Sequence, residues 1–163
     1  MPPVNQRKGI FFEFGVEKAV FSDLEATDKA SAIRTMVRVI LETRGLLRDE
    51  IESAANSMLM REEIGSTGIG GGVAAPHTRH PCAKELCVGW FVARRPFDFN
   101  ALDGEPVWFL NCMINPPNQP GQHLRMLETV SRHFMDDRLV SSARIGVGAL
   151  KDMLYESYKG ELG

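Results

Sequence analysis

Two short, nearly continuous apolar runs constrain the fold of this chain more than any other feature: residues 86–93 (LCVGWFVA) and 107–114 (VWFLNCMI). A strand with one wet face alternates apolar and polar residues. Runs without that alternation, short and bounded by turn residues, have the pattern of strands buried on both faces, although periodicity alone also admits a buried helix. Asp103-Gly104 lies between the runs and predicts a turn. A doubly buried strand needs cover on both sides, and the flanking sequence offers helices. From about Asp28 to Arg44, Ile33, Met36, Val37 and Ile40 fall at i, i+3, i+4, i+7, and Gly45 supplies a C′ stop. A second helix is predicted from about Glu50 to Glu63, with Asp49 and Glu52 at capping-box-like spacing. Ile51, Ala54, Ala55 and Met58 form its apolar stripe and Gly65 ends it. Residues 115–121 (NPPNQPG) predict no regular element, since three prolines and a glycine crowd the segment. Helices are predicted again from about Gln122 to Met135 and from about Leu150 to Tyr158. Helices before and after a central run of strands imply an α/β (α+β) fold, a sheet covered on both faces, in one domain.

Composition agrees with one domain and excludes several functions. At 163 residues with 44% apolar side chains the chain can bury one core and not two. Nineteen basic residues against a net charge of −2 predict no nucleic-acid footprint. Arg7 and Lys8 precede Ile10-Phe11-Phe12, but Glu13 interrupts that run at once, which is too short for a signal peptide. No run approaches the roughly 18 apolar residues of a membrane helix, so no membrane insertion is expected. Cys82, Cys87 and Cys112 are an odd number and make no disulfide framework, which fits a reducing compartment. A cytoplasmic location is the expectation.

The segment 61–81, REEIGSTGIGGGVAAPHTRHP, is the most unusual. Five glycines fall between Gly65 and Gly72, followed by Pro76-His77. Glycine amides approach anions closely, yet a bare glycine cluster is as readily a flexible connection. Gly65 and Gly70 have P-loop spacing, but Gly71 and Gly72 stand where lysine and Ser/Thr are needed. Gly70, Gly72 and Ala75 match a dinucleotide fingerprint, but a helix precedes them where a strand belongs, and Pro76 falls where the next helix should grow. His77, His80, Cys82 and Cys87 lie within eleven residues, at a spacing that is not a recurring zinc arrangement. No metal and no cofactor is expected.

The same segment resembles the active-site signature of the EIIA domains of the bacterial phosphotransferase system, of the fructose/mannitol and nitrogen-regulatory type, in which G-I-G, a polar residue and G-V-A-I-P-H are usual. The likeness extends through SDLEATDKASAIRTMV upstream and FDFNALDGEPV and GQHLRMLETVSRHF downstream, roughly residues 15 to 158. Gly71 and Ala75 depart from the usual polar and larger aliphatic residues, and the run VWFLNCMINPPN is more polar at Asn111 than the pattern. The resemblance implies a mixed β-sheet sandwiched by helices, with residues 1–15 as an irregular lead-in, 16–158 as the phosphocarrier domain and 159–163 as a tail. It also implies that His77 accepts the phosphoryl group, with Arg61 sixteen residues before it and His123 forty-six after it as active-site partners.

These residue types suit that chemistry. A neutral imidazole is nucleophilic without a strong base. Phosphoryl transfer asks for positioning and for cationic or N–H donors around the equatorial oxygens. Arg61 can supply a permanent fork, although an arginine at a helix end is equally a solvated charge favoured by the helix dipole. His123 shares a helical face with Leu127, Val130 and Phe134, where a histidine is also a common half-buried packing residue. The expectation is that it donates a hydrogen bond to His77 or to the phosphoryl group and sets the tautomer that exposes the nucleophile. Amides of Gly70, Gly71 and Gly72 are candidate oxyanion donors. His80 is expected at the rim, His133 as a surface or packing residue. The resemblance implies an HPr-like donor and an EIIB-type acceptor or regulatory target. Three outputs follow: nitrogen-regulatory carrier, favoured because no EIIB or EIIC segment is fused, sugar-specific EIIA component, or phosphorylation-gated binding module.

Overall fold

The computed structural model describes residues 18–162, with side chains to Glu156. The expected lead-in lies outside the described residues. Six strands make one sheet: β1 (Val20–Leu24), β2 (Gly68–Gly70), β3 (Val73–Ala74), β4 (His77–Arg79), β5 (Cys87–Phe97) and β6 (Val107–Asn115), in spatial order β1-β5-β6-β3-β2 with β4 also on β6. The sheet is mixed: β5 runs antiparallel to β6, while β1 lies parallel to β5 and both β3 and β4 lie parallel to β6. The two apolar runs are therefore its central pair. Their alternate residues face two cores, a correction to the single core expected from chain length: the central sheet divides the buried residues of this one fold into two clusters. Leu110, Cys112 and Ile114 join Phe91 beneath α1 (Lys29–Glu42) and α2 (Arg48–Ile64). Phe109 and Met113 join Val88 and Trp90 beneath α3 (Pro120–Phe134), α4 (Asp137–Ile145) and α5 (Val147–Leu162).

The first helix forms as its spacing predicts. Asp28 is its N-cap, accepting from Ser31 N at 2.7 Å, and Ile33, Met36, Val37 and Ile40 are all buried. At α2 the cap differs from the expectation. Leu47 is the N-cap and the Glu50 carboxylate accepts its N–H at 3.2 Å, so the closing acid is Glu50 and not Glu52. Residue 115 belongs to β6, and Pro120 opens α3, where a missing N–H costs nothing. Five elements have no counterpart in the sequence reading: β1, β2, β3, β4 and α4. Strand β1 is a short edge strand, and α4 is capped by Asp136, which accepts from Arg138 N at 3.0 Å. Helix α5 extends beyond Leu150–Tyr158 at both ends and into the expected tail. None of the helices in the described residues is long and apolar enough to cross a membrane.

Candidate functional site

Residues 73–79 run along β6 as one strand broken in the middle. Val73-Ala74 pair with Phe109-Leu110, and His77 to Arg79 pair with Met113 to Asn115. The break is Pro76, which has no N–H to give to a ladder. Its carbonyl still accepts from Met113 N at 3.0 Å, but the Ala75 carbonyl faces the His77 ring, with Nδ1 at 2.8 Å. Nδ1 therefore carries the proton and donates to Ala75 O, which leaves the Nε2 lone pair unprotonated. The tautomer is thus set by a backbone carbonyl two residues upstream, a correction to the expectation that His123 sets it. The Pro-His pair thus falls at the break in the strand, where the Ala75 carbonyl faces the imidazole.

His77 opens onto a cleft of about 600 Å³ between α2, β4 and the start of α3, whose walls include Ser57, Arg61, Thr78, Arg79 and His123. The sequence-predicted trio of His77, Arg61 and His123 therefore meets in one place. The His77 and His123 ring centroids are 5.2 Å apart with planes tilted by 56°. Burial holds the His77 imidazole below its ordinary value of 6.5; the hydrogen bond to Ala75 opposes this, and the Arg61 charge adds to it. His123 is pushed down to about 4, first by burial and then by His77, Arg79 and Arg61. Both rings are neutral at neutral pH.

Arg61 stands at the helix end and also on the cleft wall. Its Nη1 donates to Gly65 O at 3.0 Å, closing the C-terminus of α2, while the side chain stays on the cleft wall. The following residue anchors the site from below. Glu62 is 6% exposed; its carboxylate accepts from Thr67 N at 3.2 Å and from Thr67 Oγ1, and pairs with Lys29 Nζ at 2.5 Å. This pins the end of α2 to the entry of β2. Ser57 and Thr78 share a 2.7 Å hydroxyl hydrogen bond that ties α2 to β4 beside His77.

The three candidate loop glycines are placed elsewhere. Gly70, Gly71 and Gly72 have φ of +107°, +67° and +86° and make the turn between β2 and β3. Gly71 N–H donates to Asp103 Oδ2 at 2.9 Å, and none of the three lines the cleft. The Gly71 amide is given to the fold and not to the site. The reason for glycine at position 72 is steric as well, since an added Cβ would lie 2.5 Å from Trp108 Cδ1. Arg79 is a residue that sequence reasoning passed over. It lies two residues after His77, on the same face of β4, and lines the cleft. The period of two was the available signal, hidden because the strand is only three residues long.

The other ligand-type residues disperse. His80 accepts from Cys82 N through Nδ1 at 3.1 Å, so its Nε2–H donates to Ser53 Oγ at 2.9 Å. Burial raises the Cys82 thiol to about 11, and Cys87 and Cys112 are buried in the sheet. His133 packs edge-on against Trp90 at 6.0 Å. Among the described residues no three His, Cys, Asp or Glu side chains converge as a metal site.

The family profile described as phosphoenolpyruvate-dependent sugar phosphotransferase system, EIIA 2, matches residues 14–144. A nitrogen regulatory protein of Klebsiella oxytoca is 30% identical over 136 residues, covering 83% of this chain and 81% of that protein. A fructose-like EIIA component of Escherichia coli (strain K12) is 24% identical over 76% of this chain and 82% of its own length. Among solved structures, the nitrogen regulatory protein IIA-Ntr of Neisseria meningitidis superposes with a TM-score of 0.68 at 28% identity, over 82% of this chain and 88% of that one.

Proposed function

Since the chain belongs to the EIIA type 2 family of the phosphoenolpyruvate-dependent sugar phosphotransferase system, we propose that residues 16–158 act as a phosphocarrier domain in which His77 is the covalent acceptor. The observation that carries this reading is the His77 ring, held at Nδ1 by the Ala75 carbonyl with Nε2 as the free nucleophilic nitrogen beside a cleft. The Nε2 lone pair attacks the phosphorus of an N-phosphorylated histidine on an HPr-like donor. The donor's N–P bond breaks as the new one forms, and its electron pair returns to the donor imidazole. Phosphorylated His77 keeps its proton on Nδ1 and gains ring charge, which strengthens the hydrogen bond to Ala75 O. Arg61 and Arg79 offer guanidinium groups to the phosphoryl oxygens, and His123 offers a neutral N–H. Onward transfer to an EIIB-type acceptor is the same displacement in reverse. The setting is the cytoplasm, in keeping with three free cysteines.

The nitrogen-regulatory output is favoured over sugar uptake because the relative at 30% identity, matched over most of both chains, carries that name. The experiment is incubation with phosphoenolpyruvate, enzyme I and HPr. One acid-labile phosphoryl group per chain is expected, and none on His77→Ala; undiminished labelling of that variant would refute the acceptor assignment. Using the phosphorylated and unmodified protein as paired baits separates the outputs. A partner held in one state only supports regulation, and an EIIB-type acceptor that discharges the label supports sugar uptake.

A further inference from the structure

Strand β6 carries two asparagines in its interior, Asn111 and Asn115, exposed by 0% and 1%. Asparagine is a poor strand residue, and a buried amide without a partner is unfavourable. Both lie on the face shared with Phe109 and Met113, between the sheet and α3. Neither side-chain atom of either amide has a hydrogen-bond partner, and Nδ1 of His123 is buried in the same condition. These are five unpartnered polar atoms.

The fold brings them together beneath the site. Helix α3 lies antiparallel over β6: Phe134 packs on Phe109 at 5.0 Å, while His123 packs on His77, whose Cα partner on β6 is Met113. The stretch from Phe134 back to His123 covers about 16 Å at the helical rise. The same distance along the strand, at about 3.3 Å per residue, runs from Phe109 to the Met113–Asn115 end. Two independent contacts therefore set His123 over this end of β6, with Asn115 and Asn111 as the residues flanking Met113 on the same face. His123 also lines the cleft. With Nδ1 turned inward, Nε2 is the nitrogen left to face it.

We propose that Asn115, supported by Asn111, is a positioning residue: through a buried bridging water its amide donates to Nδ1 of His123, holding that ring in the tautomer whose Nε2–H points at the phosphoryl group on His77. A water needs two to four polar partners in a roomy polar spot, and the two amides with the ring nitrogen supply them. The chemistry is the common one in which the tautomer of a working histidine is dictated by the bond at its other nitrogen. The consequence for rate rests on the phosphocarrier reading; the tautomer itself does not.

The test compares the full chain with Asn115→Val, Asn115→Thr and Asn111→Val. Valine and threonine have nearly the same shape and differ by a hydroxyl. Two-bond 1H–15N spectra of the histidine rings are expected to show His123 in a single Nε2–H tautomer in the parent protein, a mixture in Asn115→Val, and recovery in Asn115→Thr. Phosphorylation of His77 by phospho-HPr is expected to slow roughly tenfold in Asn115→Val, the size of one net hydrogen bond, with the apparent KM for the donor unchanged. A His123 ring spectrum and rate that Asn115→Val leaves untouched would overturn the proposal. If that variant fails to fold, Asn115→Leu, which has nearly the shape of asparagine and no hydrogen-bonding group, is read in its place, and a His123 ring that it leaves in the single Nε2–H tautomer overturns the proposal. A parent protein that never takes up a phosphoryl group would instead sink the carrier reading, because the ring spectra are read without one.

Discussion

At the scale of single residues, histidine protonation sets the pH behaviour. His77, His123 and His133 are all held below 6.5, in each case first by burial. The unfolded chain takes up these protons near pH 6.5, while the folded chain resists until lower pH, to about 4 for His123. Folding stability is therefore full above 6.5 and falls as pH drops through that window. Asp28, Glu85 and Asp103 are held below their ordinary values by hydrogen bonds, so their contributions fade only at lower pH. Urea midpoints at pH 7.5 and pH 5 are expected to differ, and His123→Gln is expected to shrink the difference; a midpoint that does not move between those pH values would contradict the burial of neutral rings. If His77 is the acceptor as proposed, the phosphorylation rate is expected to stay flat from pH 8 to pH 6.5, because the ring is already neutral across that range.

At the scale of elements, the β2–β3 turn is built on backbone conformations that side chains resist. At Gly72 a positive φ and the Trp108 ring act together, and the Gly72 carbonyl also takes N–H bonds from Trp108 at 2.8 Å and Phe109 at 3.2 Å. Gly71 has a positive φ but open space around it. Gly71→Ala is expected to cost the conformational share alone, about 1–3 kcal/mol. Gly72→Ala is expected to cost more and to displace Trp108, which stacks under Arg144 at 4.4 Å. Thermal unfolding with tryptophan fluorescence checks both; equal losses would show that the ring contact contributes nothing. The cost of Gly72→Ala should reach phosphorylation only weakly, because these glycines do not line the cleft.

For the whole molecule, the sheet is a partition between two cores. Ile33 on α1 and Val130 on α3 are both fully buried, on opposite faces. Ile33→Ala and Val130→Ala are each expected to cost about 2–4 kcal/mol. Because the sites share no partner, the double variant should equal the sum within about 0.5 kcal/mol. Chemical denaturation of the four proteins reads this, and a coupling well above that margin would mean the sheet transmits strain between its faces. Only the second core supports His123, through Met126 and Val130 on the same helix. Phosphorylation is therefore expected to suffer more from Val130→Ala than from Ile33→Ala at equal loss of stability.

Periodicity and punctuation sufficed for the central strand pair, the first two helices and the layer order, because each of these is decided by which side chains must leave water. The trio of His77, Arg61 and His123 was legible through resemblance, not through spacing, since three residues spread over sixty positions carry no local signal. Strand β1 and the short β2, β3 and β4 were not legible. Strand β1 pairs with β5, β3 and β4 with β6, and β2 only with β3, and segments of two to five residues bury too little to announce themselves. The contacts inside the site were decided only in three dimensions. A sequence shows a proline before a histidine; the fold shows a strand broken at that proline and the Ala75 carbonyl facing the imidazole. It shows glycines that resemble an anion loop, and the fold spends the Gly71 amide on Asp103. Which atom meets which is a matter of tertiary contact, and hydrogen bonds are settled by geometry that composition does not contain.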